Sequence, residues 1–374
     1  MSEENTLTRV PHKILEEAYK VGVDVEDENR SGTLLHVDRD TVYSKVNEYF
    51  EGKIELMDTK RALKKYPWLK SYRWKLIDEE KDKFTKRVAE DFSGGYFMRI
   101  RPNTEVTFPL QSCLMITEPG SEQRVQNIII AEEGSKAHII TGCIQQRKAE
   151  KASHIGVSEI YVKKGATLNF TMIHDWSPET LVRPRTATMV EKKGTFISNY
   201  ICLRPVKDVQ MYPTAFCEGQ DSNVSFNSIL YGHRNSSLDI GSEAVLNGKN
   251  SKANMIARAI ARQDAEIFAR GRIRGNNSEC KGHLECRGLI IDEESLIQAI
   301  PELIARRRGA ELTHEAAVGK ISEKEIAYLM TRGLSRDQAV SLIIRGFMDV
   351  GIMGLPPSIN REVNRIVDLV AEAS

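Results

Sequence analysis

A turn signal that returns at a nearly constant interval constrains this 374-residue chain more than any other feature. Charged or polar residues, a glycine and a few small residues lead into an apolar alternation in EEGSKAHI, KKGATLNF, KKGTFISN and EGQDSNVSF. The glycines, Gly134, Gly165, Gly194 and Gly219, are 31, 29 and 25 residues apart. Farther on, Ser237, Ser251, Asp264, Ser278, Ser295 and Gly309 precede apolar runs at steps of 14, 13, 14, 17 and 14, near half that interval. A marker at one period and a weaker one at its half is the pattern of a solenoid whose coils each carry two or more short strands. The runs are rich in Val, Ile, Thr and Phe, which favour strands. A mainly β fold is therefore expected, a right-handed parallel β-helix over residues 96–317. A β-sandwich would also show regular strands, but its hairpins favour two-residue Asn-Gly or Asp-Gly turns, and Asn247-Gly248 is the one Asn-Gly pair present.

The flanks read differently. Residues 1–95 place apolar side chains at helical spacing, as in Ile14, Leu15, Ala18 and Tyr19 after Pro11, and Val42, Val46, Tyr49 and Phe50 after Asp40. A helical N-terminal region is expected. In YPWLKSYRWKL, Tyr66, Trp68, Tyr72 and Trp74 suit a packed corner better than a partner surface. From residue 318 to 374 the helical period returns. Ser322 with Glu325 and Ser335 with Gln338 fit the capping-box pattern, in which two side chains satisfy the free amides of a helix start. The second of these helices carries Ala339, Leu342, Ile343, Phe347 and Val350 on one side, and a third run includes Ile359, Val363, Ile366, Val367 and Val370. Such a tail either caps the open end of a solenoid or docks a partner.

Charge excludes some functions. With 53 basic and 52 acidic side chains there is no overall field to draw nucleic acid or anionic membrane. The N-terminus is too polar for a secretory core, and no stretch approaches the roughly 20 apolar residues that span a bilayer. A cytoplasmic location is expected. Polysaccharide lyases also use parallel β-helices, but they need convergent carboxylates and usually secretion, and the sequence offers neither.

The six cysteines, Cys113, Cys143, Cys202, Cys217, Cys280 and Cys286, contain no CxxC pair, which argues against a disulfide framework or a four-cysteine zinc site. The plain reading of each is a small buried hydrophobe. CKGHLECRGLIIDEES sets His283 between Cys280 and Cys286, but on a strand the cysteines share one face and His283 takes the other, so a local metal motif is rejected. His314 and Glu315 of THEAAVG are by themselves an ordinary surface pair.

A resemblance changes that balance. CKGHLECRGLIIDEES, IPEL, HEAAVGKI and YLMTRGLSRDQA, with the final helix, strongly resemble the C-terminal half of the SufB/SufD family of iron–sulfur cluster assembly proteins. IIIAEEGSKAHIITGC and IHDWSPE extend the likeness back to about residue 111, over roughly 260 residues in all. The resemblance implies a scaffold, not an enzyme, with ATP hydrolysis on a SufC-type ABC ATPase partner.

It also implies residue roles. Cys286 of LECRGLII resembles the cysteine on which SufB members build a transient, nascent cluster, and His314 and Glu315 resemble the histidine and acid that complete that site between two paired subunits. SufD members usually lack this cysteine, so Cys286 favours a SufB-like role over a SufD-like structural partner. Cys143 of TGC resembles the cysteine that accepts sulfur. His174 and Trp176 of IHDW and Lys192 of VEKKG fall where SufB lines its internal sulfur route, although SufB has Gln in place of His174. Where SufB carries an Arg and an Asn upstream, equal spacing from Cys143 lands on Met115 and Thr117. The C-terminal helix with Leu342, Ile343, Phe347 and Met348 is expected to dock the ATPase. The family also implies a homodimer or SufB/SufD-like heterodimer, a sulfur donor, an acceptor protein and associated reduced flavin, the last without any GxGxxG-type loop in this sequence. The donor chemistry is coherent: thiolate, imidazole and carboxylate form a mixed set that can release a cluster, whereas a four-thiolate cage would retain it.

Overall fold

The computed structural model of the protein describes residues 10–26, 29–149, 151–349, 352 and 356–371. Among them are six α-helices: α1 His12–Lys20, α2 Thr59–Lys65, α3 Lys83–Glu90, α4 Glu323–Thr331, α5 Arg336–Met348 and α6 Pro357–Ala371. Between α1 and α4 the chain winds as a parallel β-solenoid of about 8 turns.

The expected period is the coil length. Lys136 pairs with Thr167, which pairs in turn with Thr195, Asn223, Lys252, Lys281 and Glu311, so equivalent positions recur after 31, 28, 28, 29, 29 and 30 residues. The half-period markers introduce the opposing sheet as well, whose strands Ser237–Leu246, Glu266–Gly275 and Leu296–Ala305 stack in parallel. The turn depends on a backbone shape more than on glycine. Gly134 and Gly165 have φ of 68° and 66°, and in the next three coils Lys193, Asp221 and Asn250 take the same left-handed conformation. The N–H of each of the first four donates to a turn carbonyl of the following coil, those of Lys164, Lys192, Gln220 and Lys249. Once stacking supplies that bond, a non-glycine residue can hold the strained angle.

Inside the solenoid the two sheets face each other across a continuous apolar core that includes Leu114, Ile129, Ile160, Leu168, Phe196 and Leu230. The outer face of one sheet is covered too. Ile173, Ile201 and Ile229 stack in register there and join Val21 beside α1 with Ile344 of α5 and Ile359 of α6 in a second core. Helix α1 and the C-terminal helices therefore pack on the same side, which we call the helix-covered sheet, whereas Ala62 of α2 and Val88 of α3 pack on the opposing sheet against Ile130 and Ile155.

Three sequence expectations need correction. Asp40–Val46 is a strand, not a helix, and Val42 is partly exposed on it. It pairs antiparallel with Gly32–Val37, which itself pairs in parallel with Leu110–Ile116, so the solenoid's sheet begins well before residue 96. The helical reading failed because a seven-residue strand with one buried face can mimic helix spacing. Ser322 stands at the N-cap of α4 but makes no side-chain cap bond, whereas Ser335 and Gln338 form the full reciprocal box on α5. Val350 and the side chains of Val367 and Val370 lie outside the described residues. The aromatic segment packs as expected: Trp68 lies edge-on to Tyr72, whose ring meets Tyr161 at 4.8 Å.

Candidate functional site

The period carries chemistry as well as structure. On the inward face of the helix-covered sheet, one row runs Leu114, Cys143, His174, Cys202 and Leu230 on successive coils. Two residues away along the strands runs a second row: Met172, Tyr200, Ser228, Ala257, Cys286 and Ala316. Cys143 and Cys286 are thus five coils apart, about 24 Å at the usual strand spacing.

A cavity of about 50 Å³ follows the second row, lined in turn by Met172, Tyr200, Ser228, Ala257 and Cys286. Ser228 and Ala257 are small where the adjoining interior carries Phe226 and Met255, and that difference leaves the space open. At about 10–15 Å³ per water-sized occupant, the cavity admits a few small species and no metabolite.

The first row leads to the same cavity through hydrogen bonds and ring contacts. Nδ1 of His174 lies 2.9 Å from the Tyr200 hydroxyl, and its ring meets Trp176 at 5.3 Å and Tyr200 at 5.0 Å, both edge-on. Trp176 in turn packs against His154 at 5.0 Å. The structure therefore brings Cys143, His174 and Trp176 together. Lys192 does not join them. It occupies an exposed turn between strands, where its carbonyl accepts the Gly165 N–H, because the inward alternation starts only at the strand Thr195–Cys202. Met115 is buried on the outer, helix-covered side, and Thr117 donates its hydroxyl to Asp38, so neither lies on the inward rows.

Burial sets the protonation of these groups. Desolvation pushes the Cys143 thiol well above its ordinary range. The Cys202 thiol rises to about 12, chiefly through burial, with the Tyr200 hydroxyl pulling the other way. Cys286, 3% exposed, rises to about 11 by burial, while the Arg258 guanidinium nearby pulls it down. Burial, reinforced by His154, holds His174 well below the ordinary histidine value. Near neutral pH this interior is a row of protonated thiols and neutral imidazoles.

Around Cys286 the outer face is charged. Arg258 donates to Glu285 at 2.9 Å, Arg287 Nε reaches Glu285 at 2.6 Å, and Arg287 approaches Glu315 at 4.0 Å. Since neighbours on a strand alternate faces, Glu315 lies with this outer network and His314, paired with Leu284, has the inward register. The final coil is open, so His314 is exposed. Cys286 and His314 share a face, Glu315 takes the other, and no group of three or more His, Cys, Asp or Glu among the described residues is arranged to hold a metal ion. His283 bonds Thr313 at 2.9 Å and faces away from the cysteines, as the alternation required.

The proposed docking residues divide. Leu342 is 51% exposed, and Ile343 and Phe347 are half-buried against the chain's own core. Met348 is buried there with Val340 and Ile344, so it is not a surface residue; spacing of four along α5 puts these three on the packed stripe. Tyr328 and Met330 of α4 are exposed apolar residues that sequence reasoning did not select. It also missed Tyr200, Cys202, Arg258 and Glu285. The coil period was the available signal, because His174 follows Cys143 by 31 residues and Cys202 follows His174 by 28.

The geometry defines a class: a parallel β-solenoid with thiols along one inward face and apolar helices over the outer side of the same sheet. Residues 114–347 match the family model described as "SUF system FeS cluster assembly, SufBD core domain". The chain is 48% identical over 350 residues to an iron–sulfur cluster assembly SufBD family protein of Archaeoglobus fulgidus, covering 94% of this chain and 93% of that protein. A SufBD family protein of Methanothermobacter thermautotrophicus strain Delta H is 45% identical over 364 residues, 96% of this chain and 88% of the relative. The iron–sulfur cluster assembly protein SufB of Bacillus subtilis is 27% identical over 378 residues, 99% of this chain and 81% of the relative. The chain belongs to the SufBD family of iron–sulfur cluster assembly proteins. No helix among the described residues is long and apolar enough to cross a membrane.

Proposed function

We propose that this protein is a SufB-like cytoplasmic scaffold that accepts sulfur at Cys143 and assembles a nascent iron–sulfur cluster, its cargo, at Cys286. The observation that carries the reading is the inward path from Cys143 through His174 and Tyr200 to a cavity that ends at Cys286. A cavity of that size suits sulfide-scale traffic and nothing larger. His314 and Glu315, exposed on the last coil, complete the site from the edge of a second copy or of a SufD-like partner. Because the resting thiols are protonated, the reading requires the solenoid to open or the local field to change before sulfur moves. Opening is assigned to a SufC-type ABC ATPase docked on the C-terminal helices around Leu342, with catalysis of ATP hydrolysis on that partner. Reduced flavin belongs to the reading as an associated cofactor, with no residue assigned to it. A finished cluster passes to an acceptor protein.

Ser228→Leu tests the path, since it fills the cavity from a position two coils away from Cys286 and three from Cys143. Sulfur supplied by a donor protein should label Cys143 normally and fail to reach Cys286, while the far-ultraviolet spectrum is unchanged. Equal labelling of Cys286 in a folded Ser228→Leu protein would rule the path out. The SufD-like reading makes a separate statement: the isolated chain stays colourless on anaerobic reconstitution with iron and sulfide.

A further inference from the structure

A second concave site lies where α1 and α6 meet the turn ends of the coils. It is a cleft of about 620 Å³ that adjoins a smaller one of about 240 Å³, the two sharing Lys20, Asp175, Arg204 and Arg365. Cations dominate it. Among the described lining residues, Lys20, Arg147, Arg204, Arg234, Arg361 and Arg365 outnumber Glu17, Asp175 and Glu179. Two of those acids are matched, with Lys20 bonded to Glu17 at 2.7 Å and Arg204 3.9 Å from Asp175. Among the described lining residues, six cations thus face three acids.

The deeper wall is aromatic and carries polar atoms that find no partner among the described residues. Trp176 is 3% exposed and His233 9% exposed, and neither Nε1 of the indole nor Nε2 of the imidazole has a hydrogen-bond partner among the described residues. His233 stacks on Tyr231 at 4.6 Å. Buried polar atoms normally find partners, so such atoms beside a cleft mark where an incoming group would bond. Three of the same cations act on His233. Burial first, then Arg234, Arg365, Arg262 and Arg204, bring it down to about 4, which places four guanidinium groups from three coils and α6 around one point.

We propose that this cleft binds a small molecule carrying a diphosphate group. Guanidinium groups bind phosphoryl oxygens in pairs, and cations spread over several coils and a helix suit two linked phosphates better than one compact oxyanion. The volume falls within the usual range of small-molecule pockets, and the indole and imidazole supply an apolar wall with donors for the remainder of the ligand. α6 closes one side, held to α1 by the Arg361 guanidinium, which donates to the Tyr19 hydroxyl at 3.0 Å. Binding there would stiffen the contact between the two ends of the chain, close to the strand that carries Cys143.

Calorimetric titration of the purified full chain with inorganic pyrophosphate, ADP and inorganic phosphate tests the site. Pyrophosphate or ADP should bind at least tenfold more tightly than phosphate, and should raise the thermal midpoint. The Arg147→Gln/Arg234→Gln protein, altered at two exposed positions, should lose at least tenfold in affinity with an unchanged circular dichroism spectrum. Tighter binding of ADP than of pyrophosphate assigns a diphosphate ester, and the reverse order assigns the free anion. No binding of either probe, phosphate binding as tight as pyrophosphate, or full affinity in the folded double variant would overturn the proposal.

Discussion

Cys286 and His314 sit on neighbouring coils and on the same inward-facing side of one sheet, two register positions apart, because Cys286 pairs with Ala316 and His314 with Leu284. One is sealed in the core and the other is exposed at the open end. Register alone makes them neighbours within a chain, so a shared site could form within one copy or between two. Mixing separates the arrangements. In a dimer of one Cys286→Ala copy and one His314→Ala copy, a site formed across the interface retains one intact pair, and reconstitution should recover up to half of the wild-type visible absorbance. A mixture as colourless as either parent would sink the interface reading.

The buried thiols should be slow to react. A Cys286 thiol raised to about 11 from an ordinary 9.0 holds about 100-fold less thiolate near pH 8, and alkylation proceeds through the thiolate. Mass spectrometry after brief iodoacetamide treatment of the native chain should find Cys143, Cys202 and Cys286 unmodified, and all of them modified in denaturant. If a docked ATPase opens the solenoid on hydrolysis, Cys286 labelling should rise at least tenfold with ATP, and a flat response would remove that step.

Acid should weaken the fold in a defined window. Burial lowers His36 to about 4, His154 to about 3 and His233 to about 4. Below the unfolded value of 6.5 the unfolded chain binds protons that the native one refuses, so stability rises with pH between about 4 and 6.5 and is lost as pH falls through that range. Thermal midpoints measured from pH 8 to 4 should drop steeply below 6.5. His154→Gln, which can keep the bond to Gln123 now made at 2.9 Å, should flatten the curve; an unchanged slope would show that His154 does not contribute to it.

Two neighbouring helix positions should behave oppositely. Leu342→Asp alters an exposed residue of α5, so the thermal midpoint should hold while binding to a SufC-type ATPase falls at least tenfold by pull-down or calorimetry. Met348→Ala empties part of a packed core and should cost about 2–4 kcal/mol in denaturant unfolding. Loss of ATPase binding in Met348→Ala but not in Leu342→Asp would mean that a different face docks.

Much of the architecture was legible because stacking imposes a period on the chain. The markers at Ser237, Ser251 and Asp264 announced strands without any knowledge of pairing, since each coil must turn where the last one did. The capping box at Ser335 was equally local, and it formed as read. Asp40–Val46 was misread because its partner, Gly32–Val37, determines its state and is not visible from its own spacing. Lys192 was misplaced for a related reason: a likeness in sequence carries a residue to a position, but only the strand's starting point says whether that position faces in or lies on a turn.

What the sequence determined by itself is the coil: its length, its two-sheet construction and the helices that bound it, all consequences of repeated local patterns. What only the tertiary structure decided is which side chains meet. Cys143, His174 and Cys202 align, with Tyr200 bridging toward the cavity, because parallel stacking converts separations of 31 and 28 residues into single steps between coils. The cleft beside α6 arises in the same way, from arginines far apart in the chain whose convergence depends on the packing of both ends against one sheet.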